Sequence, residues 1–238
     1  MQRYFASYIN KEISLSKEDE HHLLRVMRAK LGDEIEIVLE DKLYLAEIAS
    51  INPLKLSIVT PIDQKSELEG DVTLYFALAK GDKIDFVIQK ATELGVKRIV
   101  LISMKRCVIQ YENKDIAKKL ERFNKICKEA SQQSHRLVTS VVDGVYALKD
   151  INKEMLSDIN LVAYEKEASN PSKLIEVEPH KSVSILIGPE GGLEENEVNY
   201  LNSIGFQNVS LGRRILRCET AALNALSVIA YLKEKEHE

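Results

Sequence analysis

Two glycine-bearing turns near the end of the chain constrain its fold more than any other feature. The first is Gly188-Pro189-Glu190-Gly191-Gly192 and the second begins at Leu211-Gly212 and runs to Arg217-Cys218-Glu219-Thr220. Each follows a short apolar run, 183–187 and 209–211, that reads as a buried parallel strand. Each leads into a helix, 194–203 with acidic residues in its first turn and 220–233 rich in Ala and Leu. In an open parallel sheet, ligands bind outside the carboxyl ends of the strands. Two such turns side by side form one pocket there, floored by backbone groups that glycine leaves uncovered.

The pocket does not suit a phosphate. It lacks the Lys-Ser/Thr ending of a P-loop and the spaced glycines of a dinucleotide turn. Pro189 has no N–H to donate, and Glu190 is itself an anion. A cationic or zwitterionic ligand with an adenine-like apolar part fits better. Taken alone, the first turn reads equally well as an ordinary strand-to-helix connection. Arg217, Glu219 and Thr220, crowded at one helix start, favour the ligand.

These paired turns resemble those of the SPOUT-class RNA methyltransferases, and specifically the RsmE family, which methylates N3 of a uridine in small-subunit (16S) ribosomal RNA. Further matches are His21-His22-Leu23-Leu24-Arg25-Val26-Met27-Arg28, Lys80-Gly81-Asp82-Lys83, the run from Gln89 to Val96, and Arg106-Cys107-Val108. They stand in the family's order over nearly the whole chain. The resemblance implies S-adenosylmethionine as cofactor and 16S rRNA, within the small ribosomal subunit, as partner. Two readings stay beside it: a related enzyme aimed at transfer RNA or another rRNA position, and a non-catalytic RNA-binding module that keeps the fold.

Composition sets the remaining bounds. No apolar run approaches the roughly 18 residues a membrane span needs, and Met1-Gln2-Arg3-Tyr4-Phe5 lacks the apolar centre of a signal peptide. A cytoplasmic protein is expected. Cys107, Cys127 and Cys218 have neither disulfide nor zinc spacing, and the pair His21-His22 has no acidic or thiol partner at ligand distance, so no metal is expected. The net charge of −4 looks wrong for an RNA binder until it is divided along the chain. Residues 79–136 hold 14 Lys/Arg against 7 Asp/Glu, whereas residues 1–70 and 137–238 are each net acidic. Such a basic centre fits an electrostatic footprint on nucleic acid, or a solvated helix face through Lys114, Lys118, Lys119, Arg122 and Lys125.

Residues 1–68 read as a small β-rich module. Segments 33–39 and 42–49 alternate as a hairpin around Glu40-Asp41, and 55–60 is a further strand. Ser16 starts a helix with Asp19 three residues on; along it His22, Arg25 and Arg28 are spaced to share one face. Residues 61–70 are polar and read as a linker. From 72 to 238, strands (72–79, 98–104, 138–142, 160–164) alternate with amphipathic helices, one capped at Asp82 and ending at Gly95, the next over 115–131. That alternation predicts an α/β fold with a mainly parallel sheet covered on both faces.

The resemblance adds what periodicity does not show. It makes the first module a PUA-like RNA-binding β-barrel and the second, 72–238, a SPOUT domain tied in a trefoil knot. It implies that the turns after Tyr164, Ile187 and Leu211 clasp the cofactor. The implied cofactor contacts are Ala163, Tyr164, Ile187, Gly188, Glu190, Gly191, Gly192, Leu211, Gly212, Ile215, Leu216, Arg217, Thr220 and Ala221. It also implies a homodimer through the last helix, whose apolar stripe Leu223, Leu226, Ile229 and Ala230 serves such an interface or its own core equally. For catalysis, Arg217 is either a cation for the developing charge on the uracil or a clamp on Glu190 or Glu219. Glu219 is a base, an orienting group or a helix-start residue. The candidate RNA contacts are Arg3, His22, Arg25, Arg28, Lys80, Lys83, Arg106, His135 and Arg136, with surface salt bridges as the alternative for Arg25 and Arg28.

Overall fold

The computed structural model describes residues 1–167 and 176–234. They form two compact units: Met1–Glu67 with Ser131–Val138, and Leu68–Ala130 with the described residues from Thr139 onward. The grouping of Ser131–Val138 with the first unit had no counterpart in the sequence reading.

In the first unit, strands β1 (Arg3–Ile9), β2 (Glu12–Leu15), β3 (Glu34–Leu39), β4 (Lys42–Ile51) and β5 (Leu54–Ile62) form one sheet in the order β2-β1-β3-β4-β5. Only the β1–β3 pair is parallel. Alternation puts Ile35 and Ile37 of β3 and Ala46 and Ile48 of β4 on one face, where they pack with Tyr4 and Leu23. The β3–β4 hairpin turns on Glu40 and Asp41, both at positive φ, the mirror-image turn whose twist matches the strands it joins. The outer strands approach one another, with Lys55 Nζ 3.1 Å from Glu12 Oε1, so the sheet is curled.

Helix α1 (Lys17–His21) starts where Ser16 Oγ accepts the Asp19 N–H at 3.2 Å. It does not continue to Arg28. From His22 to Val26 the hydrogen bonds widen to the π pattern, and Arg28 takes φ +54°. Leu23, 1% exposed, is the anchor around which this segment reverses. The expectation that His22, Arg25 and Arg28 share one helical face is therefore corrected.

The second unit contains β6 (Val72–Ala77), α2 (Lys83–Glu93), β7 (Arg98–Ser103), most of α3 (Asn113–Gln133), β8 (Val141–Ala147), β9 (Ile159–Ala163), β10 (Val183–Ile187), α4 (Glu195–Ile204), β11 (Gln207–Val209) and α5 (Cys218–Glu234). The sheet order is β11-β9-β10-β6-β7-β8, and every pair is parallel. This is the α/β class the strand–helix alternation implied. Every residue of β6 and β10 is buried. Leu74, Phe76, Ile185 and Ile187 point to the side that packs with Val87 of α2 and Leu226 and Ile229 of α5. Tyr75, Ala77 and Leu186 point to the other, against Val198 and Leu201 of α4.

Two strands are displaced from their expected limits, for reasons of pairing. β8 starts at Val141 because its neighbour starts opposite it, at Arg98. β11 ends at Val209, opposite the last residue of β9, Ala163, which releases Leu211 from the sheet into a loop. Most of the apolar stripe of α5 faces inward: Leu226, Ile229 and Ala230 are buried in this chain, and Leu223 is half-buried.

Near its end α5 carries a buried cation. Lys233, 1% exposed, donates to the carbonyls of Glu69, Pro179 and Lys181 at 2.6, 2.7 and 2.7 Å. Gly70 stands beside this cage at φ +68°, where a Cβ would lie 2.7 Å from the carbonyl oxygens of His180 and Lys181. Burial pulls the Lys233 pKa below the usual lysine value, against the opposing pull of Asp71, Glu69 and Asp158, yet removing the side chain orphans three carbonyls. Lys233→Met is expected to lower unfolding free energy by about 3 kcal/mol. A change below roughly 0.5 kcal/mol in urea titration would refute that role.

Candidate functional site

Three adjacent parallel strands, β11, β9 and β10, end at Val209, Ala163 and Ile187. Their carboxyl ends open onto a cavity of about 430 Å³ within the second unit, a size suited to a small organic ligand. Of the residues expected around a ligand, the lining includes Ala163, Tyr164, Ile187, Gly188, Glu190, Gly191, Gly192, Leu211, Gly212, Ile215, Leu216, Arg217 and Ala221. Thr220 is exposed on α5 and is not among them. Part of the turn after Tyr164, residues 168–175, lies outside the described residues.

The glycines of the first turn are there for space as well as conformation. Gly192 has φ +73°, and a Cβ on it would stand 3.2 Å from Glu165 Oε1. A Cβ on Gly191 would meet the Arg106 side chain at 3.0 Å. The turn closes through the Gly192 N–H on the Pro189 carbonyl at 2.9 Å. In the second turn Gly212 takes φ +112°, and its N–H donates to Ser210 Oγ at 3.2 Å.

Behind the cavity wall, one ammonium joins the two turns. Lys83, in the first turn of α2, lies 3.0 Å from Glu190 Oε1 and 3.6 Å from Glu219 Oε2. The hydrogen bond to Glu190 raises the Lys83 pKa above the usual lysine value. Burial alone would raise the Glu190 pKa, but its own backbone N–H, the Lys83 ammonium and the Lys80 N–H hold it below the usual carboxylate range. Glu219 is likewise held low, against the pull of burial, by its own N–H, by Cys218 and by Lys83. The Cys218 thiol donates to Glu219 Oε2 at 3.2 Å, and burial followed by that bond pushes its pKa up to about 12. Lys83 therefore occupies the clamp position considered for Arg217. Arg217 is exposed on the cavity lining, with no ion pair among the described residues.

Arg106 is also engaged with the first turn. Its Nη1 donates to the Gly191 carbonyl at 3.0 Å, and its Nε lies 3.5 Å from Glu194 Oε1. Beside it, the Lys105 N–H and Nζ hold Glu197 and Glu194 at 3.1 and 3.0 Å. Lys80 is exposed. In the first unit, Arg25 and Arg28 are exposed, and no salt bridge for either is found among the described residues. His22 Nδ1 is 2.9 Å from the Tyr4 hydroxyl.

Two of the candidate RNA contacts are corrected. Arg3, 1% exposed, binds Glu36 at 2.7 Å, Gln64 at 2.7 Å and the His135 carbonyl. Arg136, 3% exposed, pairs with Glu67 at 2.5 Å. Both guanidiniums are interior braces of the first unit, facing no solvent from which a phosphate could approach. His135 remains half-exposed, 3.5 Å from Glu36. Glu165, Ser210, Arg213, Arg214 and Cys218 also line the cavity and were missed by sequence reasoning. The signal for Arg213 and Arg214 was present, since they lie between residues already singled out.

Among the described residues, no group of three or more His, Cys, Asp and Glu side chains is placed to hold a metal ion. No described helix is long and apolar enough to cross a membrane.

Comparison with known proteins follows the same division of the chain. Residues 66–230 match the RNA methyltransferase domain family, and residues 15–60 the RNA methyltransferase PUA domain. The ribosomal RNA small subunit methyltransferase E of Bacillus subtilis (strain 168) is 36% identical over 250 residues, covering 98% of each chain. The protein of that name from Mesomycoplasma hyopneumoniae (strain 232) is 32% identical over 205 residues, 86% of this chain and 88% of its own. Among solved structures, ribosomal RNA small subunit methyltransferase E from Neisseria gonorrhoeae, bound to S-adenosyl methionine, superposes with a TM-score of 0.83 at 26% identity, covering 98% of both chains.

The environment of Cys218 sets a chemical expectation. A thiol with its pKa near 12 is almost wholly protonated at pH 8, and only the thiolate is alkylated. In the folded protein Cys218 should react with iodoacetamide at least about 100-fold more slowly than in urea. Equal rates, read by site-resolved mass spectrometry, would show that Glu219 and burial do not protect it.

Proposed function

The chain belongs to the ribosomal RNA small subunit methyltransferase E family, and from that premise we propose that it transfers the methyl group of S-adenosylmethionine to N3 of one uridine in 16S ribosomal RNA. The observation that carries this reading is the cavity at the ends of β9, β10 and β11, lined by groups of both charges. Its volume and lining suit the cofactor. Ile187, Leu211 and Leu216 offer apolar contacts for a purine, with backbone N–H and C=O groups of the glycine turns at its edge. Carboxylates of Glu165 and Glu190 line the same space, complementary to the cationic end of the molecule. Bound there, S-adenosylmethionine supplies an electrophilic methyl group for in-line displacement.

The protein's task is then positioning and charge. Uracil N3 carries a proton that must leave as the N–CH₃ bond forms, and negative charge spreads over O2, N3 and O4. Arg217 is the group assigned to that charge, because it is exposed on the lining and such preorganised charge lowers barriers most. Glu219 has a different part. Its carboxylate is held by Lys83 and Cys218, and a carboxylate with a lowered pKa is a poor acceptor for a weakly acidic imide proton. We assign Glu219, Glu190 and Lys83 to fixing the two turns, and the departing proton to solvent.

Family membership carries with it the SPOUT α/β-knot fold and the PUA-like unit, where the exposed Arg25 and Arg28 are assigned to phosphates. A cytoplasmic location and a homodimer belong to the same reading. Because Leu226, Ile229 and Ala230 of the α5 stripe are buried, the dimer contact is assigned to the uncharged outer face of Asn224, Ser227 and Tyr231. Tyr231 is 64% exposed.

Calorimetric titration with S-adenosylmethionine is the first test, and no heat of binding would favour a non-catalytic module. Mass spectrometry of 16S rRNA from a deletion strain, seeking one missing methyluridine, tests the target. Arg217→Gln is expected to lower kcat about 100-fold or more while the cofactor Kd stays within roughly threefold. A loss confined to cofactor affinity would instead make Arg217 a cofactor ligand.

A further inference from the structure

The loop between β11 and α5 carries a combination that the cofactor site leaves unused. Ile215 is 85% exposed, the highest value among the exposed large hydrophobics. Other apolar side chains on the cavity are not arranged this way. Ile187, Leu193 and Ala221 are buried, and Leu211 and Leu216 are half-buried. Ile215 therefore stands on the rim while the others form the wall. Arg213 and Arg214 precede it, and both are exposed.

Neither arginine has an ion pair among the described residues. Of the carboxylates on or beside the cavity, Glu190 and Glu219 are held by Lys83 and Glu194 by Lys105 and Arg106, while Glu165 has no ion pair among the described residues. The rim thus presents two uncommitted guanidiniums next to an isolated branched aliphatic side chain. Guanidiniums pair with phosphates in bidentate fashion. Branched and other apolar side chains are what nucleic-acid-binding proteins insert at a base step when a stack is opened. An enzyme that works on a ring nitrogen must take its base out of the stack.

We infer that Arg213-Arg214-Ile215 is the segment that holds the RNA strand beside the target nucleotide. Arg213 and Arg214 bind flanking phosphates, and Ile215 packs against the base stack from which the uridine is extruded. The assignment rests on the reading of the protein as an rRNA methyltransferase. It moves Ile215 from the cofactor contacts to the substrate contacts.

The test uses the full chain, S-adenosylmethionine, and small ribosomal subunits purified from a strain that lacks the enzyme. Each variant is measured for cofactor Kd by calorimetry, for subunit affinity against salt, for kcat, and for oligomeric state by sedimentation. Replacing both arginines (Arg213→Gln with Arg214→Gln) is expected to make the slope of log affinity against log salt shallower by about 1.4 to 1.8, the value for two phosphates. Ile215→Ser is expected to lower kcat roughly tenfold or more, and Ile215→Leu to recover most of that loss. Cofactor Kd stays within about twofold of wild type throughout, which also shows that the variants fold.

An unchanged salt slope overturns the phosphate assignment. A loss of cofactor affinity in Ile215→Ser returns that side chain to the cofactor site. A shift to a smaller species with normal subunit binding makes the rim a contact between copies and overturns the proposal too. Should the wild-type protein itself neither bind nor methylate the subunits, the underlying reading fails, a result distinct from variants that merely equal an active wild type.

Discussion

Burial of the central strands on both faces is the constraint from which the second unit follows. Every residue of β6 and β10 is covered, so neither strand offers a solvent-facing edge or face. Backbone polar groups in such a sheet become accessible only where strands end. The carboxyl ends of β9, β10 and β11 are neighbours because β9 pairs with both of the others. Any ligand that reads backbone must approach there, and the glycines allow it to come close. The placement of the cavity is thus a consequence of packing, while its chemistry comes from the side chains around it.

Those side chains are sorted by which carboxylate holds which cation. Lys83 reaches from α2 to both turns, and Lys105 and Arg106 hold the start of α4. Exposed pairs of this kind contribute little to stability singly, about 0–1 kcal/mol. Their effect on the loops is larger in another sense. They fix the orientation of the glycine turns and occupy Glu190, Glu194 and Glu219, three anions that would otherwise compete for the arginines of 213–217. Six of the basic side chains near the site thereby divide into three that brace the protein and three that face outward. Local sequence could not have separated them, since Lys83 and Glu190 are 107 positions apart.

That distance also marks what the sequence could disclose. Period-two strands, the Glu40-Asp41 hairpin, the Ser16 cap and the glycine turns depend on neighbours within a few residues, and each is where local chemistry put it. Strand limits were less legible because they depend on the partner: β11 stops where β9 stops. The roles of Arg3 and Arg136 were misread for a stronger reason. Basic residues near a chain's start, or after a helix, resemble a nucleic-acid footprint, yet the partner of Arg3 lies 33 positions away and that of Arg136 lies 69 away. The π turn after His21 was equally hidden, because the wider hydrogen bonds of His22–Val26 have no local signature in the residues that form them.

The cage around Lys233 has a consequence for how the protein is made. Its ammonium joins the carbonyl of Glu69 across 164 positions, from the last described turn of α5 to the segment that precedes β6. The first unit has a similar long-range tie, in which Arg3 meets His135 across 132 positions. During synthesis, the amino-terminal unit therefore waits for residues from the middle of the chain. In the α/β unit, the tie between Glu69 and Lys233 can form only once α5 has been translated. Until α5 emerges, the side of β6 that faces α2 lacks the cover that Leu226 and Ile229 supply in the finished core.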